Sequence, residues 1–427
     1  MKKNFCIKPF DTLWINPNGS VCVCCKNNKI ISDPEGNPYN ITENSLGEVW
    51  MSEYLQTLRQ QFIDDERPED CKQCWDEEAA GIKSLREGTT DYFFQTNSSI
   101  DPDVLIESKK NNPIIQELNL TLTNKCNLAC RICTPFASSL WVKEAAVTKD
   151  KMLETKSHLF KHISIIDEIQ IAKLEEVKFK DDRLTELYDI SKNLKKVYIY
   201  GGEPLINEEI LEYLKKLVDD DLAKEITLVL NTNATIYKDS IIEMFSKFKE
   251  VEMFLSIDGI GKEYEYQRYP ARYPSIERNI KRFAELKSPF KIAIYVTMSI
   301  LNIIDLEKML DTFESYNITI DLHNMVHYPG ILNVRNLSSD LKEEVISILE
   351  NIDFSKYKNF NPIQSNHKNN IINFIKLSPD VDFNYANKVE YRNELFKFVS
   401  ISDEYRKTPI ADYLPNLYNL LHTDTNL

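Results

Sequence analysis

Glycine is scarce in this sequence, at 10 of 427 residues, where an average protein carries about 7%. None falls between Gly88 and Gly201, and none follows Gly330. Gly201-Gly202 and Gly259-Ile260-Gly261 therefore stand out as backbone that must approach a ligand or adopt positive φ. Long apolar runs are missing too. No stretch nears the roughly 18 apolar residues that a membrane span needs, and Met1–Phe10 has no apolar core for a signal peptide. The expectation is a cytoplasmic chain without a membrane. Basic residues are outnumbered, 52 Lys and Arg against 66 Asp and Glu, for a net charge of −14. A broad polyanion-binding surface needs clustered cations, so no nucleic-acid partner is expected. All nine cysteines lie within the first 133 residues, and none follows Cys133. A secreted disulfide framework is not distributed that way; in a reducing compartment, clustered cysteines read as metal ligands.

What remains is an ordinary globular balance, 42% hydrophobic and 28% charged, long enough for two or three structural units. The chain centres on Leu118–Cys133. Leu118–Leu122 alternates as a strand does and empties into Cys126-x3-Cys130-x2-Cys133. Three thiolates on one short loop can hold three irons of a cubane cluster, which normally takes four cysteines, and leave one iron open for another ligand. Read from spacing alone, a zinc knuckle lacking one ligand, or a disulfide plus a free thiol, stays open.

From Ile115 onward strands alternate with helices. The strands read as Leu118–Leu122, Lys196–Tyr200, Ile226–Leu230, Val251–Ser256, Lys291–Thr297 and Ile318–Leu322. Helices are predicted at Glu208–Val218, Ser275–Leu286 and Ile304–Ser315. Six such units imply a parallel α/β barrel whose site lies at the strand C-terminal ends. Ser138–Lys195 is long for one crossover and implies a helical excursion, with Lys173–Lys178 as a solvated face. Residues 331–427 read as a largely helical extension, with helices at Ser338–Leu349 and Tyr391–Phe398. Residues 96–114, polar with two prolines, read as a linker. Before them lie a hairpin (Thr12–Ile15, a turn at Asn16–Gly19, Ser20–Cys25), a helix starting at Leu46, and Cys71-x2-Cys74. A four-cysteine zinc site or a redox pair at Cys71 and Cys74 is open there on residue types alone.

The cysteine loop together with Tyr200-Gly201-Gly202-Glu203-Pro204 resembles the radical S-adenosylmethionine (radical SAM) superfamily. That resemblance implies a partial (β/α)6 barrel of TIM-like type over residues 115–330. It implies a four-iron cluster on Cys126, Cys130 and Cys133, whose open iron chelates S-adenosylmethionine. Reductive cleavage then yields a 5′-deoxyadenosyl radical that abstracts substrate hydrogen, with the electron coming from an external reductant such as flavodoxin or ferredoxin. Gly201, Gly202 and Glu203 resemble the motif that takes the methionine amino group. Ser256 and Asp258 stand where relatives contact the ribose or carboxylate, and hydroxyl plus carboxylate suits ribose hydroxyls. Arg268 resembles the arginine that grips the methionine carboxylate. Asn233 and Asn302 are weaker polar candidates, and His323 and His327 are possible pocket or proton-donor residues. Trp14, Trp50 and Trp141 read as packing residues.

Residues 1–95 resemble the twitch domain, the shorter relative of the SPASM domain, which carries an auxiliary four-iron cluster. The matching pieces are Cys-x2-Pro-Phe, the Asn-Gly-x-Val hairpin ending in Cys-Cys, the Leu-Gly-x-Val-Trp helix start and Cys-x2-Cys. They imply Cys6, Cys24, Cys71 and Cys74 as ligands, with Cys25 as the alternative to Cys24 and Cys22 as a spare. The twitch domain precedes the barrel here, whereas the commoner order places it after. The family implies two four-iron clusters and S-adenosylmethionine as cofactors. The expected reaction is peptide or protein modification; a sugar or other small molecule, radical methylation, and a non-catalytic iron-sulfur or zinc protein are the alternatives.

Overall fold

A computed structural model of the chain describes residues 2–27, 29–79, 83–121, 123–135, 137–155, 159, 181–360 and 366–423. Ten strands are found among them. They are β1 (Thr12–Ile15), β2 (Val21–Cys22), β3 (Glu117–Leu120), β4 (Ala129–Cys130), β5 (Lys196–Ile199), β6 (Thr227–Thr232), β7 (Glu250–Ser256), β8 (Arg268–Tyr269), β9 (Phe290–Met298) and β10 (Thr319–Met325). Eight form one sheet in the order β10-β9-β7-β6-β5-β3-β1-β2. All six expected barrel strands are present, each parallel to its neighbour. The sheet does not close, because β10 and β2 lie at opposite ends of this order; the barrel is partial.

Strand alternation decides which face is which. Leu118, Leu120, Val197, Ile199, Leu228, Leu230, Val251, Met253 and Leu255 are buried on the face that the helices cover. The helix Glu208–Asp219 is capped by Asn207, whose Oδ1 accepts from Ile210 N at 3.2 Å. It buries Ile210, Tyr213, Leu214 and Leu217, the i, i+3, i+4, i+7 stripe of an amphipathic helix. The alternate residues, among them Asn119, Tyr198, Asn231, Phe254 and Tyr295, face the concave side.

The hairpin joins the barrel sheet: β1 pairs in parallel with β3, Thr12 opposite Glu117 through Ile15 opposite Leu120, so the N-terminal segment extends that sheet. Residues 96–114, expected as a linker, contain a helix. Pro102–Asn111 is a helix, capped by Asp101 (2.8 Å from Asp103 N to its Oδ1). It packs on the helix Glu53–Ile63 with Ile106 buried. One buried apolar residue in ten left too weak a period to read. The returning strand is shorter than expected, Val21–Cys22. The C-terminal helices run Ser339–Asn351 and Lys388–Arg406, the second ending at Lys407 in the left-handed region. Leu122 and the Lys173–Lys178 run lie outside the described residues.

Candidate functional site

The three-cysteine loop leaves β3 and doubles back as β4, which pairs antiparallel with β8: Ala129 faces Tyr269 and Cys130 faces Arg268. Arg131 N extends the ribbon by donating to Gln267 O at 2.8 Å. The backbone of each outer cysteine is fixed locally. Cys126 N donates to Ser139 Oγ at 3.1 Å, and Cys133 N donates to Cys130 O at 3.0 Å. Trp141 Nε1 donates to Cys130 O at 2.6 Å. Burial pushes the Cys126 and Cys133 thiols up to about 12. Cys130 is likewise raised by burial, opposed by the positive charges of Arg268 and Arg406. Cys126 is further raised by the neighbouring Cys130, and Cys133 by Cys130 and Cys126.

Gly201 and Gly202 lie against this loop with φ of +79° and +53°. A Cβ on Gly202 would stand 2.2 Å from Lys125 O, and one on Gly201 would stand 2.1 Å from Thr121 Cγ2. The glycines are thus required by chain-to-chain approach as well as by φ. Glu203 N donates to Lys125 O at 2.9 Å. The Glu203 carboxylate is buried and accepts from Thr232 Oγ1 (2.7 Å), Asn233 N (2.7 Å) and Leu205 N (3.1 Å). Burial raises its pKa against those donors. Asn233 Nδ2 donates to Asn127 Oδ1 at 2.9 Å and lies 4.0 Å from Cys126 Sγ, so the end of β6 is tied to the cysteine loop.

Asp258 and Arg268 meet each other. Asp258 is wholly buried; its Oδ2 accepts from Arg268 Nε (2.8 Å) and Nη2 (2.6 Å), and its Oδ1 from Thr297 N (2.9 Å). Asp258, expected as a ribose contact, is the buried counter-charge of Arg268, with both oxygens accepting from the protein. The two-pronged grip of Arg268 on a carboxylate goes to Asp258, while Nη1 faces Cys130 Sγ at 3.9 Å. Ser256 ends β7, half-buried on the concave side. Asn302 is a brace, donating to Asp258 O (3.1 Å) and Thr297 O (2.9 Å). His327 is exposed and edge-on to Phe374.

The concave face below Gly201 carries half-buried aromatic rings. Trp14 stacks on Tyr200 (5.2 Å, 7°), Tyr198 on Tyr200 (6.0 Å, 14°) and Phe254 on Tyr295 (4.1 Å, 23°). Trp14 comes from the N-terminal hairpin, so that segment walls the barrel mouth. Deeper lysines on this face are paired: Lys8 with Glu117, Lys196 with Glu252 (3.6 Å) and Lys291 with Glu250 (2.6 Å). Trp50 packs as expected, under Arg59 and donating to Pro113 O at 2.9 Å.

A second thiol cluster lies in the N-terminal segment. Cys6, Cys24, Cys71 and Cys74 line one cavity with Lys8, Lys26 and Arg86 around it. Cys25 is exposed, and neither it nor Cys22 lines the cavity. A tetrahedral zinc would draw four sulfurs to about 2.3 Å from one ion. Four thiols around one space suit an iron-sulfur cluster.

Sequence reading missed the support behind the ribbon. Arg131, between Cys130 and Cys133, donates to Tyr266 O (3.0 Å) and Thr408 Oγ1 (3.1 Å) and pairs with Asp403. Arg406 pairs with Glu144 at 2.8 Å. The Asp403-x2-Arg406 spacing, one helical turn on the helix Lys388–Arg406, was the only available signal.

A ribbon of three cysteines at the mouth of a partial parallel barrel, against a Gly-Gly-Glu strand end, defines an iron-sulfur enzyme of the radical SAM class. The radical SAM superfamily model matches residues 120–313, and the SPASM iron-sulfur cluster-binding model matches residues 6–75. The chain belongs to the radical SAM superfamily and is an enzyme of that superfamily with an N-terminal SPASM-type domain. Its cofactors are S-adenosylmethionine with a four-iron cluster, and a further iron-sulfur cluster in the SPASM-type domain. Among relatives, the GTP 3′,8-cyclase of Sulfurimonas denitrificans is 25% identical over 127 residues, 30% of either chain. That of Aliarcobacter butzleri is 26% identical over 152 residues, 35% of this chain and 36% of its own. The match thus spans about a third of these relatives' length. Streptococcus suis SuiB, solved with precursor peptide SuiA, is similar at 17% identity and a TM-score of 0.37, over 72% of this chain and 62% of SuiB. No helix among the described residues is long and apolar enough to cross a membrane.

Proposed function

We propose that this enzyme oxidises a C–H bond in a peptide substrate, with Cys126, Cys130 and Cys133 holding the cluster that binds S-adenosylmethionine and Cys6, Cys24, Cys71 and Cys74 holding the auxiliary one. The carrying observation is the β4–β8 ribbon, which brings the three cysteines beside Gly201, Gly202 and Glu203. When bound, the reduced cluster supplies a 5′-deoxyadenosyl radical from S-adenosylmethionine, and that radical removes a substrate hydrogen atom.

The chain's own residues do the rest. Gly201 and Gly202 let the β5 end lie flush with the cysteine loop, and Glu203 presents a buried carboxylate where a methionine ammonium is to be received. Arg268, locked by Asp258, offers its remaining Nη1 toward Cys130. Ser256 is the hydroxyl on the concave side for the nucleoside. In the N-terminal cavity four thiols leave no position for an external ligand, and Lys26 lies beside them as a cation, whereas Lys8 and Arg86 are paired with Glu117 and Glu78. That supports an electron-accepting role over substrate ligation: a cluster held by Cys6, Cys24, Cys71 and Cys74 would take up one electron from the substrate radical, whose proton would go to solvent, for a two-electron oxidation overall.

The aromatic concave face supports a peptide substrate over a nucleotide. A triphosphate, as in the GTP named for two relatives, needs free cations at its oxygens. The deeper lysines on the described concave face already have carboxylates, whereas the stacked rings of Trp14, Tyr198, Tyr200, Phe254 and Tyr295 suit an apolar or aromatic side chain. Anaerobically purified protein should hold about eight irons, about half of them lost in the Cys126/Cys130/Cys133→Ala variant, two four-iron clusters being the family complement. Reduced with dithionite and given S-adenosylmethionine, it should release 5′-deoxyadenosine, measured by liquid chromatography. Absence of iron, or of 5′-deoxyadenosine from iron-replete protein, would overturn the reading. Turnover of GTP but not of peptides would overturn the substrate class.

A further inference from the structure

The two cations behind the cysteine ribbon are not equivalent. Arg131 is well satisfied by Tyr266 O, Thr408 Oγ1 and Asp403. Arg406 bonds through Nε alone, to Glu144 Oε2 at 2.8 Å and Oε1 at 3.1 Å. Its Nη1 and Nη2 are buried with no hydrogen-bond partner among the described residues, and its side chain has 0% exposure. Buried donors left unmatched are rare in folded proteins and call for an explanation.

The surroundings supply one. The guanidinium lies 5.1 Å from the ring of Trp141 and 5.1 Å from that of Tyr269. Trp141 holds the Cys130 carbonyl through its Nε1, and Tyr269 is the β8 residue opposite Ala129. Arg406 is thus clamped on the two residues that shape the Cys130 turn. A cation in such a dry place acts far more strongly than one in water. Net charge and hydrogen bonds near the sulfurs are what set the potential of an iron-sulfur cluster, and cluster sulfurs are acceptors of the kind the two Nη groups lack.

We infer that Arg406 is a positioning residue of the catalytic centre, a buried cation held behind the Ala129–Cys130 ribbon by Glu144, Trp141 and Tyr269 that raises the reduction potential of the cluster on that ribbon. The inference rests on the assignment of Cys126, Cys130 and Cys133 made above. It makes the end of the C-terminal helix part of the redox centre.

The test is a potentiometric titration of the full anaerobic protein followed by electron paramagnetic resonance, with the auxiliary cluster as internal reference. Arg406→Gln removes the charge. It should lower the reduced-to-oxidised ratio of the catalytic cluster at fixed potential about tenfold, a midpoint roughly 59 mV more negative for a one-electron couple. Arg406→Lys keeps the charge and should stay near wild type. Glu144→Gln unmasks the cation and should move the midpoint the opposite way, toward positive. An unchanged midpoint in Arg406→Gln, or equal shifts in Arg406→Gln and Arg406→Lys, would overturn the inference. Where Arg406→Gln does not retain the cluster, Glu144→Gln decides: a positive shift supports the inference, and no shift or a negative one sinks it. Failure of the underlying assignment reads differently, as iron unchanged in the Cys126/Cys130/Cys133→Ala variant.

Discussion

Replacing Asp258 by Asn tests a deeply buried ion pair beside the cysteine ribbon. Asp258 has 0% and Arg268 6% exposure, and the carboxylate receives both Arg268 Nε and Nη2 on one oxygen. An asparagine keeps the shape and can still accept from Thr297 N. Its amide NH2, however, can only face the guanidinium donor against donor, and the cation is left without a counter-charge. Removing one partner of a buried pair costs about 3–5 kcal/mol. Removing both, as Asp258→Asn with Arg268→Met, should restore stability to within about 1–2 kcal/mol of wild type, because the desolvation penalty leaves with the charges. The coupling energy in the double-mutant cycle should therefore exceed about 2 kcal/mol. Urea unfolding of the four proteins, followed by tryptophan fluorescence under anaerobic conditions, measures it. Additive effects, or a cost below about 1 kcal/mol for Asp258→Asn, would refute the argument. The pair would then be a weakly held contact, and Arg268 would be free to turn toward a ligand as the sequence led one to expect.

Cys24→Ala should lose the auxiliary half of the iron while Cys25→Ala keeps all of it, because only Cys24 lines the cavity; iron and sulfide assays distinguish them. Gly202→Ala should cost about 1–2 kcal/mol for the left-handed backbone alone, and more for a Cβ 2.2 Å from Lys125 O; its unfolding midpoint should fall measurably. The Asp11 carboxyl is pushed up to about 7 by burial and by Glu117, so the folded chain keeps a proton that the unfolded chain releases above about pH 4. Its contribution to stability is therefore present at low pH and lost as pH rises from about 4 through about 7. Asp11→Asn should gain in melting temperature over wild type on going from pH 4 to pH 8, and a flat difference across that range would contradict this.

What could be read before folding, and what could not, follows from how local each feature is. The barrel strands were legible because one face of each is apolar at every second residue: Val251, Met253 and Leu255 go to the helices while Glu252, Phe254 and Ser256 go to the cavity. The cysteine loop and Gly201–Glu203 were legible because motif residues sit together in the chain. The pairing of β1 with β3 was not, since nothing in Thr12–Ile15 says which strand a hundred residues on will accept it. Pro102–Asn111 failed for the opposite reason, because a helix that buries only Ile106 carries almost no period.

Asp258 and Arg268 show a subtler limit. A carboxylate and a guanidinium each suit a bound ribose or methionine carboxylate, but they suit one another equally well. Residue type and strand-end position cannot separate these outcomes. Burial can, because a buried charge must find a counter-charge inside the fold, and these two lie where little else could satisfy them. The same reasoning applied to Arg406 gives the opposite result: there the fold supplies one carboxylate and leaves two buried donors over. Completed pairs are scaffolding for the ribbon, and the incomplete one is where the protein's electrostatics are still open to whatever the cysteines hold.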